Sequence, residues 1–156
     1  SGISCDKDFT VINIKKYLMN RQVGFTRKIL GVLEDYNISF DHMPSGIDNI
    51  SLVMRSDQIR DVESRVLNDI QRHCDVDELS IDHDLAILMI VGEGMNRVIG
   101  TASKITHALA ESNINLKMIN QGASEISMMF GIKLEDAEKA VRATYEFCYH
   151  GVCIKD

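Results

Sequence analysis

Apolar and polar positions along the chain fall into two periodicities that alternate in a fixed order. Phe9–Lys15 and Leu85–Val91 are apolar, β-branched runs of strand length, and the second is apolar enough for the middle of a sheet. From Val23 to Tyr36, apolar residues at Val23, Ile29, Leu30, Leu33 and Tyr36 approach helical spacing. Ile105, Ala108 and Leu109 repeat it between Val98 and Ser112. Short strands are predicted over Ile38–Met43 and Ile114–Ile119, each directly after an Asn, a residue that tolerates the left-handed conformation closing a helix. Further strands are predicted over Ile50–Met54 and Glu125–Phe130. Ile59, Val62, Val66 and Ile70, then Leu134, Ala137, Val141 and Tyr145, mark a second helix in each half. Glu78–Asp82 reads as a last strand, turning through His83-Asp84 into the run at Leu85.

The order repeats because the sequence repeats. Shifted by 76 residues, Met19-Asn20-Arg21 and Gly24 fall on Met95-Asn96-Arg97 and Gly100, Lys28-Ile29 on Lys104-Ile105, and Asn37-Ile38 on Asn113-Ile114. From residue 3 to 54, 16 of 52 positions are identical without a gap, including Gly46 with Gly122 and Ile50-Ser51 with Ile126-Ser127. A one-residue slip then aligns Asp61, Glu63 and Val66 with Asp136, Glu138 and Val141. The expectation is an α+β protein: two ferredoxin-like βαββαβ domains in tandem, each an antiparallel sheet with both helices on one face. The other sheet face and the strand-to-helix loops would be left for a partner or ligand. Domain boundaries are expected at 8–82 and 84–156. The segment 2–6 is a candidate fourth strand for the second domain, in competition with Val152–Lys155.

Composition narrows the function classes. At 156 residues and 45% hydrophobic content the chain can fill a core, while a net charge of −6 argues against nucleic acid and anionic membranes. No apolar run reaches the roughly 18–20 residues of a membrane-spanning helix. Cys5, Cys74, Cys148 and Cys153 show no C-x-x-C spacing, so reduced thiols and a cytoplasmic setting are expected. The chain opens on Ser1-Gly2-Ile3-Ser4 straight into patterned sequence, as a fragment of a longer protein would.

The loops carry the candidate chemistry. Tyr17–Gly24 leads into the first helix, whose unpaired N–H groups can receive a carboxylate, and Gly24 admits close approach of a ligand. Asp41 on the next strand could take an ammonium group, which together would suit a free amino acid. On the residues alone, a solvated Asp41 and a Gly24 that merely makes a tight turn is the slightly better reading. In the second copy Lys117 replaces Asp41 and Asn115 replaces Ser39, so the first copy is the better binder. Gly92-x-Gly94 is followed by Gly100 at the wrong spacing for a dinucleotide loop, with no acidic residue placed to read a ribose. Asp82-His83-Asp84 and His73-Cys74-Asp75 make poor metal sites, and no nucleophile elbow, phosphate loop or catalytic triad is present.

Phe9-Thr-Val-Ile-Asn-Ile-Lys15, Gly24-Phe25, Asn37-Ile-Ser-Phe-Asp41 and Pro44-Ser-Gly-Ile-Asp-Asn-Ile-Ser51 resemble the paired ACT domains of aspartate kinases. So do Val91-Gly-Glu-Gly-Met95 and, most specifically, Met118-Ile-Asn-Gln-Gly-Ala-Ser-Glu-Ile-Ser127. The resemblance implies the C-terminal control region of such a kinase. An end-product amino acid, lysine first and threonine next, would bind at an ACT–ACT dimer interface and feedback-inhibit aspartate phosphorylation in lysine, threonine and methionine synthesis. It implies an effector site of Met19, Gly24, Phe25, Thr26, Ser39, Phe40, Asp41 and Ser45. It also implies no cofactor in this region, a homodimeric arrangement, and a kinase domain elsewhere in the protein that uses ATP and Mg. A ligand-free ACT-pair oligomerisation module and a sensor from another amino-acid pathway are the alternatives.

Overall fold

The computed structural model describes residues 2–124 and 126–150, apart from the side chains of Asn96, Tyr149 and His150. Its elements are β1 (Gly2–Lys15), α1 (Phe25–Asp35), β2 (Asn49–Arg55), α2 (Ser56–Ile59), α3 (Glu63–Cys74), β3 (Glu78–Val91), α4 (Thr101–Glu111), β4 (Met118–Gln121), β5 (Ser127–Lys133) and α5 (Ala137–His150). They form two compact units, Asp8–Asp84 and Ser1–Lys7 with Leu85–Asp156. The sheet of the first unit runs β2-β1-β3, and that of the second β1-β3-β5-β4.

The turn expected at His83-Asp84 is absent: β3 passes through it without a break for 14 residues, and β1 has the same length. Each long strand therefore serves both units in turn. Leu79 and Ile81 pack on the core of the first unit, while Ile3 and Cys5 pack on the core of the second. Val152–Lys155, the competing candidate for that place, lies outside the described residues.

Within the first unit the core joins Ile12, Ile14, Leu52 and Met54 on the sheet to Phe25, Ile29, Leu33, Val66 and Ile70 on the helices. In the second, Leu88, Ile90, Phe130 and Ile132 meet Ile105, Leu109, Ala137 and Ala140. The opposite sheet face is not free for a partner as the pattern suggested. Phe9, Val11 and Val53 in the first unit, and Leu85 and Ile87 in the second, are buried as well. Strands apolar on both faces belong in the interior of a fold.

Helix ends follow the same rule in both copies. Asn37 (φ 55°) and Asn113 (φ 53°) enter the left-handed region just after α1 and α4. The Ile38 N–H then reaches back to Leu33 O at 2.9 Å and Ile114 N–H to Leu109 O at 3.0 Å. These six-to-one bonds satisfy carbonyls that the helix leaves open, and they turn an apolar residue into the core.

The copies diverge after that point. The predicted strand Ile38–Met43 forms only isolated bridges, His42 with Val53 and Ser45 with Ile50. Its counterpart is a ladder shifted to Met118–Gln121. Ile14 faces Ile50 across the first sheet, whereas Ile90 faces Met128 across the second. The connection between β4 and β5 is thus two residues longer than its counterpart. The gapless match of Ile50-Ser51 to Ile126-Ser127 is a coincidence of sequence, since Ile50 corresponds structurally to Met128. The one-residue slip proposed for the last helix fails for the same reason: fully buried Val66 and Ile70 correspond to buried Thr144 and Cys148, a spacing that keeps the two extra residues. The single helix expected over Ile59–Ile70 is broken between α2 and α3.

Close approach of β4 to β5 depends on Gly131, where an added Cβ would lie 2.9 Å from Met118 Cβ. Gly131→Ala should therefore destabilise the chain by about 1–3 kcal/mol through overpacking, read as a lower urea midpoint at unchanged slope.

Candidate functional site

The loop between β1 and α1 has every backbone N–H from Lys16 to Gln22 hydrogen-bonded. A 3₁₀ turn, Met19–Arg21, starts from Leu18 in the left-handed region (φ 54°, ψ 34°). Met19 N–H bonds Lys16 O, Arg21 N–H bonds Leu18 O and Gln22 N–H bonds Met19 O. The turn after Ser45 is hydrogen-bonded onto this loop: Lys16 N–H reaches Asp48 O, Leu18 N–H the Asp48 carboxylate, and Asn20 N–H Ile47 O, at 2.9 to 3.1 Å. Gly24 then takes φ 79°, a conformation that L side chains rarely adopt, and stands as N-cap of α1. That helix start has no side-chain cap and no acidic residue in its first turn. Phe25 N–H is taken by Gln22 O, while the next N–H groups and the partial positive charge of the helix start have no side-chain cap, the arrangement that receives an anion.

The eight predicted effector residues fall into distinct places. Met19 and Phe25 have their side chains in the core, at 8% and 2% exposure, so only their backbone can meet a ligand. Gly24 is the cap, and Thr26 is half-buried in the first turn of α1. Ser45 is exposed and bridges to Ile50. Asp41 is exposed, with its N–H bonded to Val53 O at 2.8 Å. Ser39 is not idle: its N–H and hydroxyl both donate to Gln58 Oε1, at 2.8 and 3.0 Å.

Ser39 and Phe40 share an open groove of about 670 Å³ with Leu30, Leu33, Ile38 and Gln58, among others. The loop residues and Asp41 are not among its lining. A groove in the matching place of the second unit includes Asn113, Asn115, Lys133, Asp136 and Lys139, and is the more polar of the two. Pattern reading passed over Gln58 and Asp48. The Ser-Gly-Ile-Asp-Asn stretch around Asp48 carried the turn-former signal that could have singled it out.

Apolar side chains crowd the same end of the first unit. Val23 is 99% exposed, Tyr17 74% and Ile47 67%. The second copy repeats the first of these with Ile99 at 98%. Among the described residues no cluster of His, Cys, Asp and Glu could hold a metal ion, and no helix is long and apolar enough to cross a membrane.

Comparison with known proteins gives this geometry a family. A model of the ACT domain matches residues 88–146. Aspartokinase 3 of Bacillus subtilis is 43% identical over 154 residues, covering 98% of this chain and 34% of that protein. The aspartate kinase of Clostridium acetobutylicum, described as an allosteric enzyme, superposes with a TM-score of 0.92 at 43% identity over 96% of this chain and 35% of its own.

The chain belongs to the ACT-domain regulatory regions of aspartate kinases.

A solved structure of aspartokinase alpha and beta subunits adds a match at TM-score 0.81 and 27% identity, covering 94% of this chain and 96% of that one. This ACT pair spans about a third of the length of the two 43%-identical relatives.

His42, next to Asp41, offers a local probe of the edge segment. Burial holds its imidazole below the ordinary range, with the Asp41 charge opposing. A histidine with a depressed folded pKa binds protons more readily when unfolded. Its contribution to stability is therefore present above about pH 6.5 and lost as pH falls through and below that value. The melting temperature should drop on acidification from neutral pH, and His42→Gln should show a smaller drop than wild type.

Proposed function

We propose that this ACT pair is the effector-sensing part of an aspartate kinase, and that its first unit binds an end-product amino acid, lysine first and threonine next. The observation that carries the reading is the asymmetry between the copies. Both present a glycine-capped, otherwise uncapped helix start, at Gly24 and Gly100. Only the first copy pairs it with an acidic residue, Asp41, on the following segment, where the second has Lys117. In this reading the α-carboxylate sits on the N–H groups of Gly24 and Thr26, the backbone of Met19 and Phe25 shapes the loop, and Asp41 takes an ammonium group. Ser39, Phe40 and Ser45 line the remainder.

The loop set and the strand set occupy separate places in one unit, and a second copy of the chain completes the site by bringing a loop to a strand. Exposed Tyr17, Val23 and Ile47 around the loop support a homodimer there, because apolar surface of this kind is normally covered by a partner. The effector would then favour one arrangement of the dimer. A coupling of about 1–3 kcal/mol corresponds to 5- to 150-fold control of a kinase domain that phosphorylates aspartate with ATP and Mg elsewhere in the protein. The regulated pathway is lysine, threonine and methionine synthesis, in the cytoplasm.

Calorimetric titration with lysine, threonine, methionine and diaminopimelate tests this. Heat from lysine that vanishes in Asp41→Ala, with the melting curve retained, is the expected result. Binding unchanged by that substitution removes Asp41 from the site. An effector-free pair that dimerises regardless in sedimentation would instead be an oligomerisation module.

A further inference from the structure

Two carboxylates outside the proposed effector contacts hold the loop in place, and this inference rests on the effector reading above. Asp48 Oδ1 accepts the Leu18 N–H at 2.9 Å, and Asp77 Oδ2 accepts the neighbouring Tyr17 N–H at 2.5 Å. Asp77 is itself anchored: its own N–H bonds Lys15 O at 2.9 Å, and its other oxygen lies 3.9 Å from Lys16 Nζ. The same ammonium bonds Asp75 at 2.9 Å, with the Lys16 side chain only 15% exposed.

Between these two carboxylate clamps sits a strained residue. Leu18 is left-handed at φ 54°, a conformation that a β-carbon disfavours. The second copy has Gly94 at this position, and that glycine, which could enter the left-handed region freely, stays out of it. Strain that persists at a non-glycine residue is over-determined by its surroundings. Here the side chains among those surroundings are the two carboxylates, which hold the Tyr17 and Leu18 N–H groups beside the backbone bonds of Lys16 and Asn20 to the Ile47-Asp48 turn. The consequence runs forward along the chain: Arg21 N–H bonds Leu18 O, Gln22 N–H bonds Met19 O, and Phe25 N–H bonds Gln22 O at 3.2 Å. The backbone angle at Leu18 therefore sets where α1 begins and where its N–H groups point.

We infer that Asp48 and Asp77 are positioning residues for effector binding: without touching the amino acid, they force Leu18 into the left-handed conformation that aims the helix start at the carboxylate. The test titrates the chain with the four amino acids above, comparing wild type, Asp48→Asn, Asp77→Asn and the double variant Leu18→Gly with Asp48→Asn. All titrations run well below each variant's melting midpoint. Each single substitution should weaken the best-binding amino acid at least tenfold. The glycine, which enters the left-handed region without a β-carbon penalty, should recover part of that loss.

Variants that melt lower yet bind with wild-type affinity mark the carboxylates as fold residues only and overturn the inference. Should Asp48→Asn not fold at the titration temperature, Asp77→Asn carries the same comparison. A wild-type chain silent to all four amino acids overturns the effector reading and this inference together. Wild-type binding that the variants leave unchanged overturns this inference alone.

Discussion

Everything in this molecule hangs on two long antiparallel strands. β1 and β3 are hydrogen-bonded neighbours, each 14 residues long and each passing without interruption from one unit into the other. A strand edge left unpaired exposes a row of N–H and C=O groups, and a buried one costs more still. The first unit, Asp8–Asp84, is contiguous, but the second completes its sheet only with the start of β1. The start of β1 lends Ile3 and Cys5 to the second core, and the start of β3 lends Leu79 and Ile81 to the first. Residues 9–12 and 85–88, where the strands are apolar on both faces, lie wholly inside.

What this spine positions is a pair of loops that began as copies and no longer behave as such. Both end in a glycine with positive φ and open a helix of 11 residues with no side-chain cap. Backbone physics alone makes each helix start receptive to an anion. The difference lies in what surrounds it: Asp41, Asp48 and Asp77 in the first copy, and Lys117 and Gly94 in the second. The copies thus keep the same uncapped helix start but differ in charge on the following segment, Asp41 in one and Lys117 in the other.

The two copies also show how small an insertion can redirect a fold. Two extra residues between β4 and β5, with Gly131 allowing contact against Met118, give the second unit a paired edge strand. The first unit has isolated bridges in that place, and its segment 39–41 stays out of the ladder. This is the segment carrying Ser39, Phe40 and Asp41. Its Ser39 and Asp41 N–H groups are bonded to Gln58 Oε1 and Val53 O, which holds the segment in place beside the ladder.

The sequence by itself determined the α+β class, the repeat, the amphipathic faces of α1, α3, α4 and α5, and the helix stops at Asn37 and Asn113. All of these are local, depending on spacing within a turn or two and on one residue's tolerance for φ. It also carried the likeness to aspartate kinase control regions, through short motifs in the loops. Only the tertiary structure decided that β3 has no turn at His83-Asp84, because a polar triplet reads as a turn until a neighbouring strand offers its hydrogen bonds. Nor could the chain alone place the repeat alignment after Gly46, where chance identity at Ile126-Ser127 outweighed a two-residue loop until strand register fixed the pairs. The clamps at Asp48 and Asp77 were hidden for the same reason. They lie 30 and 60 residues from the N–H groups they hold, and long-range hydrogen bonds leave no periodic trace in a sequence.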